Sequence, residues 1–233
     1  MKKIILLMAV LITAVMQMSA KEFTLPVGQF SKLSVDDNVN VYYIGADGSP
    51  SRVRYDGDQK YAKAFIISHS GDKLRIQVET AFVNDPELPA LYIYSDFLTS
   101  ASNSSDATLR IESVAPTSEI SFTVMGNGTI VADSIRATKV SASIKSGNGT
   151  IAVSGNCETA NFGMIGNGTI QADHLEATTV SCKILGTGSI GCWPVNKLKV
   201  RGIGSTKVYY KGSPEIDKKG GGKLFQLEWE KGN

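Results

Sequence analysis

The stretch GNGTI at residues 126–130 decides the fold, because near-identical copies of it follow further along the chain. The copies begin at Gly147, Gly166 and Gly186, at steps of 21, 19 and 20 residues, and the last of them reads GTGSI. A looser copy begins at Gly202. Composition bias does not produce four such pentapeptides at a nearly constant step. The sequence therefore contains a structural repeat of about 20 residues.

An alternating apolar run precedes each glycine pair. Its first members form a column with one residue per repeat, which alternates between large and small side chains: Phe122, Ala142, Phe162, Cys182 and Leu198. Alternation with a period of two places such residues on one face of a β-strand. A 20-residue unit cannot bury that face by itself and must stack on its neighbours. The repeat therefore predicts an all-β fold, a β-solenoid (parallel β-helix) whose rungs lie about 4.8 Å apart.

The repeated glycines are predicted to be structural. A chain that turns sharply at the same point of every rung is expected to need positive φ angles there, which glycine adopts at little cost. The asparagines between the glycines, Asn127, Asn148 and Asn167, are expected to form hydrogen bonds along the stack. The corner glycines are Gly126, Gly128, Gly147, Gly149, Gly166, Gly168, Gly186 and Gly188.

The remaining sequence divides into three parts. Residues 1–20 have two lysines, an apolar run from Ile4 to Met16 and small residues before the charged Lys21, which predicts a signal peptide cleaved near Ala20. The run is shorter than the roughly 20 residues of a membrane-spanning helix, and no later stretch approaches that length. Residues 21–90 are predicted to form a β-rich lead-in, with a short helix at 58–64, and residues 91–233 the solenoid with a C-terminal cap. Residues 91–94 and 109–111 are interpreted as one degenerate rung.

Charge argues against one class of partner. The chain has 24 Lys+Arg and 22 Asp+Glu, and removal of Lys2 and Lys3 with the leader leaves 22 of each. A neutral chain without a basic block is not expected to bind nucleic acid. The partner is instead expected to be recognised by shape, apolar contact or hydrogen bonds.

Three segments and the repeated corners together resemble a known family. The segments read VRYDGDQKY at 53–61, SGDKLRIQV at 70–78 and LKVRGIGSTKVYYKGSPEI at 198–216. Over roughly residues 28–222 the chain resembles the family of putative autotransporter adhesins with a head GIN domain. The resemblance implies an exported bacterial domain with a right-handed parallel β-helix, located in the periplasm, at the cell surface or outside the cell. It implies no catalytic motif.

Catalytic, metal and cofactor chemistry find little support in the sequence. His69 and His174 are far apart, the Gly-x-Ser-x-Gly motif is absent, and the cysteine spacings match no zinc signature. Asp133 and Asp173, two rungs apart, could form the carboxylate pair of an inverting glycosidase. However, Val153 intervenes, and no basic residue is expected in the same column, so each aspartate is interpreted as capping a turn. We therefore expect no catalytic residue, no metal site and no cofactor.

The candidate binding residues are Met125, Ile165 and Leu185, which are apolar at outward positions where Lys145 and Arg201 are polar. Such a stripe predicts contact either with the N-terminal segment or with another molecule. A glycan or a protein at the cell surface is the expected ligand, and outward tyrosines among residues 42, 43, 92, 94, 209 and 210 could stack on sugars. The favoured function is an exported, non-catalytic solenoid that presents a rigid surface for binding or adhesion. The alternatives are a glycan-active β-helix enzyme and a purely structural envelope component.

Overall fold

The computed structural model describes residues 21–46 and 48–227, so the predicted signal peptide lies outside the described residues. The described part is all-β, with two short 3-10 helices at Gln59–Lys63 and Thr80–Phe82. The first of them confirms the helix predicted at 58–64, and the Asp58 carboxylate caps it by accepting from the Lys60 N–H at 2.8 Å. The strands, in chain order, are β1 (Lys21–Pro26), β2 (Lys32–Val35), β3 (Val41–Ile44), β4 (Arg52–Gly57), β5 (Phe65–Ser70), β6 (Lys73–Val78), β7 (Leu91–Tyr94), β8 (Ser100–Asn103), β9 (Thr108–Ile111), β10 (Thr117–Met125), β11 (Thr129–Ser146), β12 (Thr150–Met164), β13 (Thr169–Ile184), β14 (Ser189–Gly202), β15 (Lys207–Tyr210), β16 (Glu215–Gly220) and β17 (Lys223–Gln226).

The solenoid predicted from the repeat is confirmed. Strands β10 to β14 pair in parallel, each with the strand one rung earlier, so that equivalent positions of the repeat lie on top of one another. The isoleucine that ends each pentapeptide forms one such column, and all its members are fully buried: Ile130, Ile151, Ile170 and Ile190. Burial of one such side chain contributes about 1.5–3 kcal/mol, so the inward columns supply the cohesion that a single rung lacks.

The N-terminal segment also contributes rungs to this stack. One side of the coil has the spatial order β6–β2–β8–β10, and another side has the order β7–β3–β9–β11, all with parallel pairing. The chain therefore builds its second rung from β2 and β3 before it builds the first from β6 and β7. The domain boundary predicted at residue 90 remains a prediction, but the parallel ladder runs across it. The single degenerate rung predicted for 91–94 and 109–111 is wrong, since β3 lies between these strands.

Three antiparallel strands close the N-terminal end of the coil. β5 pairs with β6, and β4 pairs with β7 and carries β1 on its other side. Antiparallel additions of this kind cover the hydrogen-bonding groups that the first rung would otherwise expose. At the other end, β16 and β15 continue the two sides from β14, and β17 follows β15.

The register of the last long rung differs from the one expected. Val200, rather than Leu198, lies over Cys182, and Leu198 lies over Val180, so the last step of the column is 18 residues instead of 16. The pairing shifts between Ala172 and Glu176 and again between Ala177 and Thr179. Relative to β13, β14 has three residues fewer at the first shift and one residue more at the second. The spacing of the glycines alone does not reveal two changes that partly cancel.

The corner glycines are required mainly because adjacent rungs approach closely. Positive φ angles, the expected reason, occur at Gly126 (146°), Gly147 (76°) and Gly188 (130°). Elsewhere the obstacle is the rung below: a Cβ added to Gly168 would lie 2.0 Å from the Gly149 carbonyl oxygen. Similar collisions, at 2.1 to 2.5 Å from the nearest atom, occur at Gly186, Gly166, Gly149 and Gly128. A side chain at these five corners would force the parallel ladder apart.

Asn103 is a polar residue at an inward position of the ladder, paired with Val35 and Val124 of the neighbouring rungs. Its side chain is fully buried, and its amide nitrogen donates to the carbonyls of Ala107 (2.8 Å) and Thr129 (3.1 Å). Its amide oxygen accepts from both the backbone N–H and the hydroxyl of Ser105. Because every polar atom of the side chain has a partner, its burial carries no desolvation penalty of the kind an unpaired amide would impose.

Candidate binding surface

One flat side of the solenoid combines the features of a binding surface. The segments 117–125, 139–145, 159–165, 179–185 and 197–203 lie one above the other and are called the front face here. Their apolar side chains alternate into the core, as Phe122 and Val124 do, while the intervening side chains point outward. Rigid parallel pairing fixes the outward side chains in rows and columns.

An apolar stripe runs down one border of the front face. It contains the three predicted residues Met125, Ile165 and Leu185, whose exposed fractions are 44%, 52% and 65%, and a fourth, Ile203, which is 78% exposed. The backbone places Ile203 in this column, since its N–H donates to the Ile184 carbonyl one residue before Leu185. These four residues are called the apolar stripe below.

Ile203 was missed because the loose copy at Gly202 suggested a different alignment. In the structure Gly204, not Gly202, packs on Gly186, and Arg201 pairs with Lys183 in the neighbouring column. The expectation that Arg201 interrupts the stripe is therefore wrong, whereas Lys145 does stand between Met125 and Ile165. The run Ile165–Leu185–Ile203 is continuous over three successive rungs, or about 10 Å.

The N-terminal segment does not cover the stripe. Strands β2 and β6 extend the front-face ladder at its far end, and β1, β4 and β5 close that end. The alternative that the stripe docks on the N-terminal segment is therefore wrong. Large apolar side chains that stay exposed in a contiguous row mark a surface suited to contact with another molecule.

A groove next to the stripe forms where a side chain is missing. In the column Thr123, Ser143, Gly163 and Lys183, only the glycine lacks an outward side chain. The resulting cavity of about 370 Å³ is called the Gly163 groove and is lined by Lys139, Ser141, Ser143, Asn161, Phe162, Gly163, Ser181 and Lys183. A second cavity of about 250 Å³ shares Ser143, Gly163 and Lys183 with it and extends to Ile165 and Leu185. The groove and the stripe therefore form one continuous surface.

The front face carries cations that no acidic side chain neutralises. Lys139 is paired with Glu119 at 2.8 Å, and two further cations of the face are paired in the same way: Lys197 with Glu215 and Arg201 with Asp217. Within residues 21–46 and 48–227, no carboxylate lies within 4 Å of the amino groups of Lys145, Lys183 or Lys199. The face is thus locally positive although the mature chain is predicted to be neutral.

The two aspartates considered as a catalytic pair are each held by a basic residue. Arg110 Nη2 lies 2.8 Å from Asp133 Oδ2, and Lys211 Nζ lies 3.4 Å from Asp173 Oδ2 and donates to the Asp173 carbonyl at 2.6 Å. The expectation concerned basic residues of the same column, but β9 and the residue after β15 bring cations to both aspartates from other rungs, and Arg110 lies in the neighbouring column, paired with Val131. Neither aspartate lines the Gly163 groove.

Asp133 stabilises a bend within β11. The next residue, Ser134, has a left-handed backbone with φ of 57°, and its N–H donates to the Ser154 hydroxyl one rung away. The same hydroxyl donates to Asp133 Oδ1 at 3.3 Å. This arrangement agrees with the interpretation of the aspartate as a turn residue.

The asparagines at the corners form part of the expected ladder. Asn127 donates to Asp106 at 3.1 Å and accepts from the Asn148 N–H at 3.2 Å, while Asn167 accepts from the Thr187 hydroxyl at 2.5 Å. These bonds tie the corner at Asn127 to those at Asp106 and Asn148 and the corner at Thr187 to that at Asn167, and they help to fix the spacing of these rungs.

The tyrosines offer little free ring surface for sugars. Tyr43 is buried, and its hydroxyl donates to the Ser95 carbonyl at 2.5 Å. Tyr42 and Tyr92 stack on each other with centroids 5.1 Å apart, and Arg54 lies over the Tyr92 ring. Tyr209 is stacked on Phe225 in the same way. At least one face of each of these partly exposed rings is therefore directed at a neighbouring side chain.

The described residues form neither a metal-binding cluster nor a membrane-spanning helix. Residues 21–46 and 48–227 contain no cluster of three or more His, Cys, Asp or Glu side chains with metal-binding geometry. Asp56 of β4 pairs with Arg54 at 2.8 Å. Over the same ranges, none of the helices has the length and apolar character needed to cross a bilayer.

Comparison with known proteins identifies the family. The chain belongs to the family described as "Putative auto-transporter adhesin, head GIN domain", whose sequence profile matches residues 29–214. This confirms the resemblance seen in the sequence and suggests an exported protein. No curated protein matches the chain.

Solved structures share the fold. A putative adhesin from Bacteroides fragilis has 20% sequence identity and a TM-score of 0.76, with 89% of this chain and 97% of that chain covered. A putative lipid binding protein from Parabacteroides distasonis has 19% identity and a TM-score of 0.67, with coverages of 91% and 98%. A putative adhesin from Parabacteroides merdae has 18% identity and a TM-score of 0.66, with coverages of 91% and 98%. At these identities the likeness concerns the fold alone.

Proposed function

We propose that this protein is an exported, non-catalytic β-solenoid whose front face holds a glycan or a protein ligand at the cell surface. The observation that carries the proposal is the apolar stripe, and in particular the continuous run Ile165, Leu185 and Ile203, exposed on three successive rungs. Membership of a family described as adhesins agrees with a surface-binding role.

The physical argument is one of preorganisation. The stripe residues are fixed by parallel strands on both sides, so a ligand that covers them does not have to order a loop first. Covering the exposed half of one leucine side chain contributes about 1 kcal/mol, so three such residues supply a useful part of a micromolar affinity. The adjoining Gly163 groove adds polar groups that can orient the ligand.

A glycan-active enzyme is a weaker proposal, because the site lacks a free acid–base pair. Asp133 and Asp173 are engaged by Arg110 and Lys211, and the polar side chains that line the Gly163 groove are serines, an asparagine and lysines. A glycosidase needs two carboxyl groups facing one sugar. The groove therefore supports recognition rather than hydrolysis.

A binding screen on glycan and extracellular-matrix protein arrays tests the proposal. The mature chain is compared with the double variant Ile165→Ser/Leu185→Ser and with the control Leu25→Ser, which alters a residue of similar exposure (49%) on β1 at the N-terminal end. We expect a specific signal that the double variant loses and the control retains, with unchanged far-UV circular dichroism. A signal that survives the double variant, or no signal with any ligand, would refute the proposal and favour a structural role in the envelope.

A further inference from the structure

We propose that the Gly163 groove binds an acidic glycan, a chain of sugars that carry carboxylate groups, laid across the rungs of the front face. The inference rests on the proposed binding function and names the chemistry of the ligand. It depends on side chains other than those of the apolar stripe, so the two proposals can fail separately.

The shape of the groove fits a chain that crosses the strands. Gly163 removes one side chain from the column Thr123–Ser143–Gly163–Lys183, so the depression opens across adjacent rungs. Rungs repeat every 4.8 Å or so, which is close to the length of one sugar residue. Successive sugars of an extended chain would therefore meet successive rungs in the same way.

The lining supplies hydrogen-bonding groups that the protein itself does not use. The side chains of Ser141, Ser143, Asn161 and Ser181 line the groove, and no side chain or backbone group in the described part of the chain forms a hydrogen bond with them. Hydroxyl and amide groups both donate and accept. Rigidly spaced groups of this kind suit the many hydroxyls of a sugar.

Charge selects an acidic glycan over a neutral one. Lys183 lines the groove, Lys145 lines the adjoining cavity, and neither has a carboxylate of the described protein within 4 Å. Lys199 on the next rung is a third cation with no carboxylate of the described residues within 4 Å. A sugar carboxylate would form charge-assisted hydrogen bonds with these amino groups, which are roughly twice as strong as neutral ones.

Calorimetric titration with an oligomer of galacturonic acid tests the inference, with the galactose oligomer of equal length as the neutral reference. We expect the acidic oligomer to bind, the neutral one to bind at least tenfold more weakly, and the affinity to fall steeply in about 1 M NaCl, where the Debye length is about 3 Å. Lys183→Gln is expected to weaken binding of the acidic oligomer about tenfold through loss of a charge-assisted bond. Lys63→Gln, which removes an exposed lysine at the N-terminal end, is the matched control and should have no effect.

Gly163→Thr provides a test that leaves every charge in place. Threonine already occupies the same column at Thr123, and the Cβ added at Gly163 would lie 2.9 Å from the Ser143 hydroxyl, which can rotate away. The variant should fold normally and bind the acidic oligomer at least tenfold more weakly, because its side chain fills the groove.

Three results would overturn the inference: equal affinity for the two oligomers or no binding of either, a Lys183→Gln variant that behaves like Lys63→Gln, or equally tight binding of a poly-glutamate peptide. In the last case the face would recognise acidic protein segments. Stripe-dependent binding on the arrays would leave the proposed function intact even if the acidic oligomer failed.

Discussion

Replacement of Gly168 by alanine tests whether close approach of the rungs, rather than the φ angle, dictates the corner glycines. Gly168 does not have a positive φ angle, so any β-carbon strain there comes from its surroundings. The added Cβ would lie 2.0 Å from the Gly149 carbonyl oxygen and 2.8 Å from Ile144 Cδ1, whereas ordinary contacts begin at 3.4 Å. Relief of the first contact alone requires a displacement of about 1.4 Å (3.4 minus 2.0).

Such a displacement has a calculable cost. The Thr169 N–H donates to the Gly149 carbonyl at 3.0 Å, and the Ser189 N–H donates to the Gly168 carbonyl at 3.2 Å. A shift of 1.4 Å takes such bonds beyond hydrogen-bonding distance, with a net loss of about 1 kcal/mol each. Overpacking of the core adds about 1–3 kcal/mol. We therefore expect Gly168→Ala to lower the free energy of unfolding by about 3–5 kcal/mol, a large part of the usual stability of a domain.

Urea unfolding followed by far-UV circular dichroism measures this change. The control is Gly191→Ala in the next rung, where the added Cβ would have its nearest contact at 3.4 Å, with Asp173 Oδ1. Because alanine is favoured over glycine in a strand, this control should be neutral or slightly stabilising. A loss below about 1 kcal/mol for Gly168→Ala, or equal losses in the two variants, would refute the steric explanation.

Two further predictions concern buried groups of the core. Burial raises the pKa of Tyr43 to about 12, so the folded state favours the neutral phenol; the resulting stabilisation is complete below pH 10 or so and is lost as the pH rises from about 10 to 12. Tyr43→Phe should reduce the loss of stability that unfolding curves show at alkaline pH. It should also lower the free energy of unfolding by about 1–3 kcal/mol at neutral pH, because it leaves the Ser95 carbonyl without its donor. An unchanged pH dependence would contradict the assignment of the alkaline loss to Tyr43. Burial raises the pKa of the Cys157 thiol to about 11, contact with Cys182 and burial raise that of Cys192, and all three cysteines are free. A disulfide reagent at about pH 8 should therefore react slowly with the native protein and should titrate three thiols after denaturation, whereas a count of one would reveal an oxidised pair.

The repeated middle of the chain could be predicted from its sequence, because there one local pattern determines both the strand and its partner. Phe122, Ala142, Phe162 and Cys182 recur at a constant step, and the same inward position in every unit forces a parallel register. Once the last unit loses residues near Trp193, the pattern no longer fixes the register. Its two local shifts are decided by how the chain crosses the corner, which depends on packing against the rung below.

The first rungs could not be placed from the sequence, because their order in space differs from their order along the chain. Leu33 and Val35 alternate as inward residues should, but so do Leu74 and Ile76. Local alternation therefore does not reveal that β2 lies between β6 and β8 in the ladder, with β6 further out. When a later segment of the chain lies nearer the end of the stack than an earlier one, long-range contacts must determine that order. Glycine corners, the signal that orders the later rungs, are absent here.

The binding surface shows the same division between local and spatial information. Met125, Ile165 and Leu185 could be found because each precedes a glycine of the repeat, whereas Ile203 required the observed register. The Gly163 groove could not be found at all, since it results from one side chain missing within a column of the front face. A single glycine within a strand has that consequence only when its neighbours above and below carry side chains.

The front face is locally positive although the chain as a whole carries little net charge. Nearly equal numbers of basic and acidic residues, 24 and 22 in the full sequence, predict weak attraction of partners from a distance, because charges further apart than about 10 Å are screened at 0.1 M salt. At contact, however, a ligand senses only the groups within that distance. On the front face Glu119, Glu215 and Asp217 are already paired, while no carboxylate of the described residues lies within 4 Å of the amino groups of Lys145 and Lys183. An acidic ligand can therefore be held by short-range bonds on a chain whose net charge would not draw it in from a distance.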